Sequence, residues 1–276
     1  MQSTRSAAQQ RRYLMCRPTH FTVEYAINAW MDPTVPVDVD LAIAQWSQLR
    51  EAYVGLGHAV DLIDPIPGLP DMVFAANGAF VIDGKVYGAQ FANPQRAAEG
   101  PAYLSWFESS GFAVQAPKYT NEGEGDYLIV DTAVGRVILA GTGFRTEVAA
   151  HSEAQEFFGL PVVTMRLVDP RFYHLDTALF PFGGGSTSVA YYPGAFSEGS
   201  QRVLKQLFPD ALIAHEADAA VLGLNAVADG QNVVLCAEAT GLAEQVKALG
   251  YTPVTVDLSE LRKAGGGPKC CTLEIR

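Results

Sequence analysis

A recurring pattern of two short strands, a tight turn between them, a helix and a further strand most constrains how this chain can fold. Turn signals at Asp83-Gly84, Asp131–Gly135, Gly183–Gly185 and Asp229-Gly230 follow one another along the sequence. They recur roughly every fifty residues, a spacing typical of propellers and other repeat arrays. Asp-Gly supplies the positive φ angles that a tight hairpin turn needs.

Hydrophobic periodicity around each turn predicts a hairpin, then a helix, then a closing strand. The predicted elements of the four units are, in order, 78–82, 85–91, 96–110 and 112–117; 127–130, 136–140, 147–158 and 161–168; 177–182, 188–192, 198–207 and 211–214; and 226–228, 233–237, 242–249 and 251–257. The two ends of the chain supply a fifth unit, with strands at 271–275 and 13–17, a helix at 39–55 and a strand at 59–63.

These units predict an α/β fold, a five-bladed α/β-propeller of ββαβ repeats related by pseudo-five-fold symmetry. Pairing of the N- and C-terminal strands would close the ring and leave no free sheet edge. The alternative is an open α/β sheet with hairpin insertions.

We predict a disordered tail over 1–12. Residues 13–276 are predicted to form a single domain, because no change in composition marks a boundary within them.

Composition narrows the class of protein. A net charge of -11 and a pI near 4.9 argue against a nucleic-acid partner, which would need a basic patch. The sequence has no apolar stretch long enough for a membrane helix. Its four cysteines make neither a disulfide framework nor a zinc-ligand spacing. We therefore predict a cytoplasmic protein without a membrane anchor, metal or organic cofactor, and leave a homo-oligomer open.

Polar residues recur at or just before the start of each hairpin, so rotation would bring them together at one end of the central axis. In unit order they are Asp71 and Asn77; Glu122, Glu124 and Asp126; His174 and Asp176; Asn225; and Cys270. A cysteine thiolate is a nucleophile, and a nearby imidazole can lower its pKa or move protons. Carboxylates suit a cationic substrate, and a planar guanidinium matches them in bidentate fashion. The set predicts chemistry on a small cationic guanidine or amidine.

At this point the chain resembles the guanidine-modifying superfamily of arginine deiminases, dimethylargininases, amidinotransferases and arginine dihydrolases. The resemblance covers nearly the whole chain and implies a five-bladed α/β-propeller. It is carried by PDMVFAANGAF (70–80), EGEGDYL (122–128), GTGFRTE (141–147), FYHLDTALF (172–180) and GGGPKCCTL (265–273).

The resemblance implies three catalytic residues. Cys270 matches the nucleophile, and the glycines at 265–267 favour an exposed thiol, although a cysteine in a strand is usually a core residue. His174 matches the general acid/base, against the alternative of a structural histidine. Glu124 matches the carboxylate partner of that histidine. The sequence reads GEGD where the family commonly has EGGD, so Glu122 remains a rival.

The resemblance also implies substrate-binding residues. Asp71 and Asp176 match a guanidinium clamp; Asp71 could instead cap a turn, whereas Asp176 would share one strand face with His174. Because dimethylarginine lacks donors on its methylated nitrogen, Asp176 favours an unmethylated substrate. Arg96 and Arg145 match clamps for an α-carboxylate, against exposed helix-end arginines.

Two asparagines complete the predicted binding set. Asn28 lies in a segment that would cover the site. Asn77 follows PDMVF as in the dihydrolase branch, which takes arginine to ornithine in two hydrolyses. An amide at this position would avoid charge repulsion and could hold a neutral ureido group, although a buried turn asparagine is a close alternative.

The combined prediction is a hydrolase that cuts guanidino C–N bonds through a covalent intermediate on Cys270, with arginine as substrate and citrulline or ornithine as product. The alternatives are a dimethylargininase that releases dimethylamine, a non-catalytic amino-acid binding protein, and an amidinotransferase. A redox role for the neighbouring Cys270 and Cys271 is a more distant alternative, because adjacent cysteines form only a strained disulfide.

Overall fold

The computed structural model describes residues 8–133, 135–183 and 189–276. Part of the predicted tail (1–7) and part of the third predicted turn (184–185) lie outside the described residues. Residues 9–12 are not a free tail, contrary to the prediction. Gln9 N–H donates to the carbonyl of Asp229 at 3.0 Å, and Arg12 already belongs to the first strand.

The described chain has a mixed α/β fold with fifteen strands in five three-stranded sheets. The strands are β1 (Arg12–Cys16), β2 (Ala59–Ile63), β3 (Ala79–Ile82), β4 (Lys85–Gly88), β5 (Ala113–Gln115), β6 (Tyr127–Thr132), β7 (Gly135–Thr142), β8 (Val162–Arg166), β9 (Leu179–Pro181), β10 (Val189–Tyr191), β11 (Leu212–Ile213), β12 (Val227–Ala228), β13 (Asn232–Cys236), β14 (Thr252–Val256) and β15 (Leu273–Glu274).

All five sheets have the same connectivity. In four of them a hairpin of two antiparallel strands is followed by a parallel third strand, in the orders β3-β4-β5, β6-β7-β8, β9-β10-β11 and β12-β13-β14. In the fifth, β15 pairs antiparallel with β1, opposite Tyr13 and Leu14, and β1 pairs parallel with β2. The predicted pairing of the two termini is therefore present.

Helices connect the second strand of each sheet to the third. The α-helices of the described residues are α1 (Val39–Gly55), α2 (Glu99–Ser109), α3 (Val148–Phe158), α4 (Glu198–Leu207), α5 (Glu216–Ala219), α6 (Thr240–Ala248) and α7 (Ser259–Arg262). The short helices α5 and α7 were not predicted. Within the described ranges, no helix is both long and apolar enough to cross a membrane.

Local sequence explains where the connecting helices begin and end. The Asp38 side chain accepts from Leu41 N–H at 3.0 Å and caps α1, whereas Ser197 does the same for α4. Gly159 ends α3 in the left-handed conformation, with φ +68°. The buried faces of α1, including Trp46, Leu49 and Tyr53, pack in an apolar cluster with residues of β1 and the C-terminal segment.

Short 3-10 turns precede three of the hairpins, and sequence periodicity did not predict them. They span Pro70–Val73 with Ala75–Gly78, Gly123–Gly125, and Leu175–Thr177. Close packing fixes them: Gly123 has φ +54°, and a Cβ there would lie 2.6 Å from the carbonyl oxygen of Ala79. Seven of the nine polar residues that the repeat brings together lie in these turns or directly beside them.

We expect Gly78→Ala to destabilise the fold. Its Cβ would lie 2.2 Å from Cγ of Tyr103, a fully buried ring whose hydroxyl donates to the Met72 carbonyl at 2.6 Å. Overpacking of this kind costs about 1–3 kcal/mol, measurable as a lower urea midpoint. The matched control is Gly199→Ala in α4, where an added Cβ meets nothing closer than 4.0 Å. Equal midpoints for the two variants would contradict this account.

Candidate active site

His174 and Glu122 form a fully buried pair. Nε2 of His174 lies 2.7 Å from Oε2 of Glu122, and Arg145 Nη1 donates to the same oxygen at 2.8 Å. Burial opposes ionisation of Glu122, but Arg145 and His174 outweigh it and hold the pKa of that carboxyl well below its usual value. An ionised carboxylate only accepts hydrogen bonds, so Nε2 of His174 donates and Nδ1 is left for other chemistry.

Glu124 is not the histidine partner, and the prediction for its contact is wrong. Its side chain accepts from Lys269 Nζ at 2.6 Å and from the backbone N–H of Glu274 at 2.8 Å, and it is also paired with Arg276. The reason lies in the 3-10 turn Gly123–Gly125. Each residue of such a turn rotates the side chain by about 120°, so positions 122 and 124 point in different directions.

Cys270 is buried, contrary to the prediction of an exposed thiol, with only 1% of the residue accessible. Nδ2 of Asn225 donates to its Sγ at 3.1 Å, and Asp176 Oδ2 lies 3.6 Å from the same sulfur. Burial and the adjacent Asp176 raise the pKa of the Cys270 thiol. Its carbonyl accepts from Ala76 N–H at 3.0 Å, which links the C-terminal loop to the first hairpin unit.

Asp176 lies on a turn, so the prediction that it shares a strand face with His174 is wrong. The 3-10 turn Leu175–Thr177 starts directly after His174, and Thr177 Oγ1 donates to the His174 carbonyl at 2.7 Å. Asp126 anchors this turn by accepting from Leu175 N–H at 3.1 Å. Complete burial raises the pKa of Asp176 to about 7.

Asp71 and Asn77 lie together on the first unit. Asp71 accepts from the Tyr25 hydroxyl at 2.8 Å, and Asn77 Oδ1 accepts from Arg96 Nη1 at 2.8 Å. Both residues are buried, and burial raises the pKa of Asp71. Asp71 is therefore held in place by a tyrosine from a distant segment and does not merely cap a local turn.

Arg96 and Arg145, the arginines predicted to bind the substrate's α-carboxylate, are both buried and already paired with acidic residues. Arg96 makes a bidentate contact with Glu99, at 3.0 Å and 2.7 Å. Arg145 pairs with Glu122, donates to the Ile27 carbonyl at 2.8 Å, and lies over the Tyr173 ring at 4.8 Å. Neither arginine is an exposed helix-end residue.

Residues 25–30 form a covering segment over these side chains. Three hydrogen bonds attach it to other parts of the chain: Tyr25 to Asp71, Asn28 Nδ2 to the Ala264 carbonyl at 3.0 Å, and Trp30 Nε1 to the Arg171 carbonyl at 2.9 Å. Asn28 lies in this segment, and its role in substrate binding stays a prediction. It also adjoins the loop before Cys270, because a Cβ at Gly265 would lie 3.0 Å from Asn28 Oδ1.

Three buried polar atoms of this site have no hydrogen-bond partner among the described residues: Asp71 Oδ1, Asn77 Nδ2 and His174 Nδ1. A Cβ at Gly125 would lie 2.4 Å from Asn77 Nδ2 and 3.2 Å from His174 Nδ1, so two of these atoms lie against the same glycine. Buried polar groups normally find partners, so these three atoms mark a candidate ligand space. In the described ranges, no group of three or more His, Cys, Asp or Glu side chains is arranged to hold a metal ion.

Sequence reasoning missed several residues of the site. Asn225 was noted at its repeat position but received no role, although it contacts the thiol. The repeat register was the signal that could have found it. Tyr25, Glu99 and Lys269 lie outside that register, and their contacts depend on tertiary packing that no local pattern encodes.

Comparison with known proteins identifies the family. A model of the eukaryotic N,N dimethylarginine dimethylhydrolase family matches residues 17–276. The chain is 54% identical to the N(G),N(G)-dimethylarginine dimethylaminohydrolase of Mycobacterium tuberculosis, over 98% of this chain and 88% of that protein. It is 37% identical to the bifunctional arginine dihydrolase/ornithine cyclodeaminase AgrE of a Nostoc species, over 96% of this chain but only 38% of that protein.

A solved structure agrees with this result. The N-terminal domain of ArgZ, an arginine dihydrolase of the cyanobacterial ornithine–ammonia cycle, superposes with a TM-score of 0.91 at 36% identity, covering 96% of this chain and 98% of that one. The chain belongs to the N,N-dimethylarginine dimethylhydrolase family. It is a hydrolase that acts on C–N bonds of guanidino groups, and the predicted recognition and enzyme class are confirmed.

Replacing Asp176 should change how stability depends on pH. Because its pKa is raised from 3.8 to about 7, the folded state binds more protons than the unfolded state across that interval, and stability decreases as pH rises through it. Asp176→Asn removes this loss. The unfolding free energy of Asp176→Asn minus that of the unmodified protein should therefore be larger at pH 8 than at pH 5, by on the order of 2 kcal/mol.

Urea unfolding of the ligand-free protein at the two pH values measures this difference. The control is Asp131→Asn, an exposed strand residue, for which no such difference is expected. If Asp176→Asn changed the unfolding free energy equally at both pH values, ionisation of the buried Asp176 carboxyl would not be the cause of the loss of stability.

Proposed function

We propose that the protein hydrolyses free arginine, with Cys270 as the nucleophile. The observation that carries this proposal is the buried carboxylate of Asp176, 3.6 Å from the Cys270 sulfur. An acceptor this close to the reacting sulfur suits an unmethylated guanidinium nitrogen, which has hydrogens to donate. A dimethylated nitrogen has none and would leave the carboxylate unpaired in a buried site.

The proposed chemistry uses Cys270 as the nucleophile and His174 as the group that transfers protons. The Cys270 thiolate adds to the guanidinium carbon and forms a C–S bond. His174 donates a proton to the departing nitrogen as the C–N bond breaks, so that ammonia leaves and an amidino thioether remains. His174 then takes a proton from water, the hydroxide adds to the same carbon, and the C–S bond breaks to give citrulline and the free thiol.

The proposed role of Glu122 is to hold His174 for these transfers. Its contact with Nε2 directs Nδ1 toward the ligand space and stabilises the imidazolium that forms. Glu124, which the sequence suggested, has the different proposed role of neutralising Lys269 and Arg276 beneath the Cys270 loop.

A cationic substrate also helps to ionise the nucleophile. Burial and Asp176 raise the pKa of the Cys270 thiol in the ligand-free site. A bound guanidinium would lie beside both groups and stabilise the thiolate. Asp71, whose Oδ1 has no partner among the described residues, is the proposed second acceptor for the guanidinium.

Arg96 and Arg145 are the proposed positive groups for the substrate's α-carboxylate, with Asn28 in the covering segment. Both arginines are already paired with carboxylates, so a substrate carboxylate would share them with Glu99 and Glu122. Opening of the covering segment at 25–30 would release Arg145 from the Ile27 carbonyl.

A second hydrolysis is part of the proposal. Citrulline is neutral, and its ureido oxygen needs a donor where the guanidinium offered one. Asn77 Nδ2 is a buried donor without a partner among the described residues. It would hold that oxygen while the thiol attacks again, and hydrolysis would then give ornithine, ammonia and carbon dioxide.

Hydrolysis of dimethylarginine is the second candidate function. The 54% identity to the M. tuberculosis dimethylarginine dimethylaminohydrolase, over most of both chains, favours it. In that reaction the same intermediate would form on Cys270, and dimethylamine would leave instead of ammonia.

The architecture we propose is a closed five-bladed α/β-propeller forming one domain over 13–276. Its support is the shared connectivity of the five sheets and the pairing of β15 with β1. A ring of this kind would direct the start of every hairpin to one end of the axis.

Incubation with arginine should give ammonia together with citrulline, ornithine or both. An intermediate on the Cys270 peptide should have the mass of arginine less ammonia. Mass spectrometry identifies both, and Cys270→Ser should form neither products nor adduct. Turnover of dimethylarginine to dimethylamine without turnover of arginine would favour the second candidate. Turnover by Cys270→Ser would refute the proposed nucleophile.

Glu122→Gln and Glu124→Gln should affect different properties, the first the rate of catalysis and the second the stability of the fold. Glu122→Gln should lower kcat by about 10²-fold, within the range of general acid–base catalysis, because His174 loses its anionic partner. Glu124→Gln should instead lower the unfolding free energy, by about 3–5 kcal/mol, because Lys269 and Arg276 lose a buried counter-charge. Steady-state kinetics and urea unfolding of each variant test both statements; an unchanged kcat in Glu122→Gln would refute the proposed role of Glu122.

A further inference from the structure

Asn225 has every hydrogen-bonding position of its side chain occupied, and two of the four contacts go to Cys270. Its Oδ1 accepts from the backbone N–H groups of Cys270 at 3.0 Å and Gly267 at 3.1 Å. Its Nδ2 donates to Sγ of Cys270 at 3.1 Å and to the Asp176 carbonyl at 3.2 Å. The residue is fully buried.

These partners fix which end of the amide faces the sulfur. Two backbone N–H groups can only donate, so the atom facing them has to be the oxygen. The Asp176 carbonyl can only accept, so the atom facing it is the nitrogen. If the amide were turned the other way, its NH2 group would face the two backbone N–H donors and its oxygen would face the Asp176 carbonyl oxygen. The group beside Sγ is therefore an N–H donor.

A donor at this position distinguishes the two ionisation states of the sulfur. A thiolate accepts the N–H bond at full strength, whereas a neutral thiol is only a weak acceptor. The sulfur also lies 3.6 Å from the side-chain Oδ2 of Asp176, whose negative charge disfavours a thiolate. In the buried loop, the amide thus counteracts both the neighbouring carboxylate and the loss of water.

The surrounding loop is built to bring the amide this close. A Cβ at Gly267 would lie 2.9 Å from Asn225 Oδ1 and 3.3 Å from its Cβ, so a larger residue there would push the amide away. Gly267 O in turn accepts from Cys271 N–H at 3.2 Å, which closes the turn around Cys270.

We propose that Asn225 is a further catalytic residue, whose side-chain N–H stabilises the Cys270 thiolate both before attack and when the sulfur departs from the ureido product. This rests on the proposed function, because it requires Cys270 to be the nucleophile. The same amide holds the Cys270 backbone, so the test has to separate charge stabilisation from support of the loop.

The variants Asn225→Asp and Asn225→Ala separate stabilisation of the thiolate from support of the loop. Aspartate keeps an oxygen for the two backbone N–H groups but replaces the donor beside the sulfur with an acceptor; alanine removes both. The rate of alkylation of Cys270 by iodoacetamide, followed by peptide mass spectrometry across a pH series, reports the thiol pKa. Steady-state kinetics with arginine report kcat and KM.

Both variants should raise the midpoint of the alkylation profile by about one pH unit or more, because each removes a hydrogen bond to the thiolate. Both should lower kcat by about 10²-fold, as loss of one donor to a developing charge does elsewhere. KM should change less than kcat, because the amide contacts the sulfur and not the substrate. A profile and kcat for Asn225→Asp that match the unmodified protein would overturn the proposal and leave only a supporting role.

Asn232→Ala is the matched control. This asparagine lies in β13, which pairs with the strand that follows Asn225, and donates to Asp229 Oδ2 at 2.8 Å instead of to Cys270. It should keep the alkylation midpoint and kcat, and an equal shift in this variant would count against a specific effect of Asn225.

A measurement on the unmodified protein keeps the proposal testable if the variants do not fold. The side-chain ¹⁵N–H resonances of Asn225 should shift as Cys270 ionises, and they should not shift over the same pH range in Cys270→Ser. The absence of a shift in the unmodified protein would overturn the proposal. Turnover by Cys270→Ser would refute the proposed nucleophile, whereas an inactive Cys270→Ser beside unaffected Asn225 variants would refute this inference alone.

Discussion

The buried charges of the site are unevenly compensated, and the rest of the site depends on that difference. Asp71, Glu99, Glu122 and Asp176 are all nearly inaccessible. Arg96, Arg145 and His174 pair with the first three of these acids, whereas Asp176 has no ion-pair partner among the described residues. Unpaired buried charges are expensive, so the acids with the poorest compensation retain protons more readily. This explains why the pKa of Asp176 is raised to about 7 whereas that of Glu122, paired with both Arg145 and His174, is lowered. A substrate cation supplies the missing charge.

The repeat explains how one small space can hold residues from the whole length of the chain. The segments that lead into the hairpins contact one another directly: the Ala76 N–H donates to the Cys270 carbonyl, and Gly123 packs against Ala76 and Ala79. No short motif could describe such a site, because its members are separated by roughly one repeat each. The same arrangement imposes the close approaches that require Gly123, Gly125 and Gly267.

Sequence periodicity predicted the elements and the pairing of the ends, with shifts of only a few residues at most boundaries. It succeeded because hairpin turns and amphipathic helices are local features. It failed for the side-chain partners. The choice between Glu122 and Glu124 depends on a 3-10 turn of three residues, too short to leave a periodic signal. Cys270 is buried in an apolar cluster that includes Phe74, against which Gly266 packs. The repeat register identified Asn225, but only its four partners revealed which way the amide faces.

The sulfur environment combines a group that disfavours the thiolate with one that favours it. Asp176 disfavours ionisation of the Cys270 thiol, and Asn225 offers a donor that becomes most effective once the proton has left. In the proposed reaction, a bound guanidinium would turn the carboxylate from a neighbour that repels the thiolate into a partner of the substrate, while the amide contact would be unchanged. The Cys270 thiol would thereby be activated chiefly when a cation with available N–H donors is present. A neutral ureido group would provide less of this activation, so the proposed second hydrolysis would depend more on Asn225 and on the donor at Asn77 than the first one does.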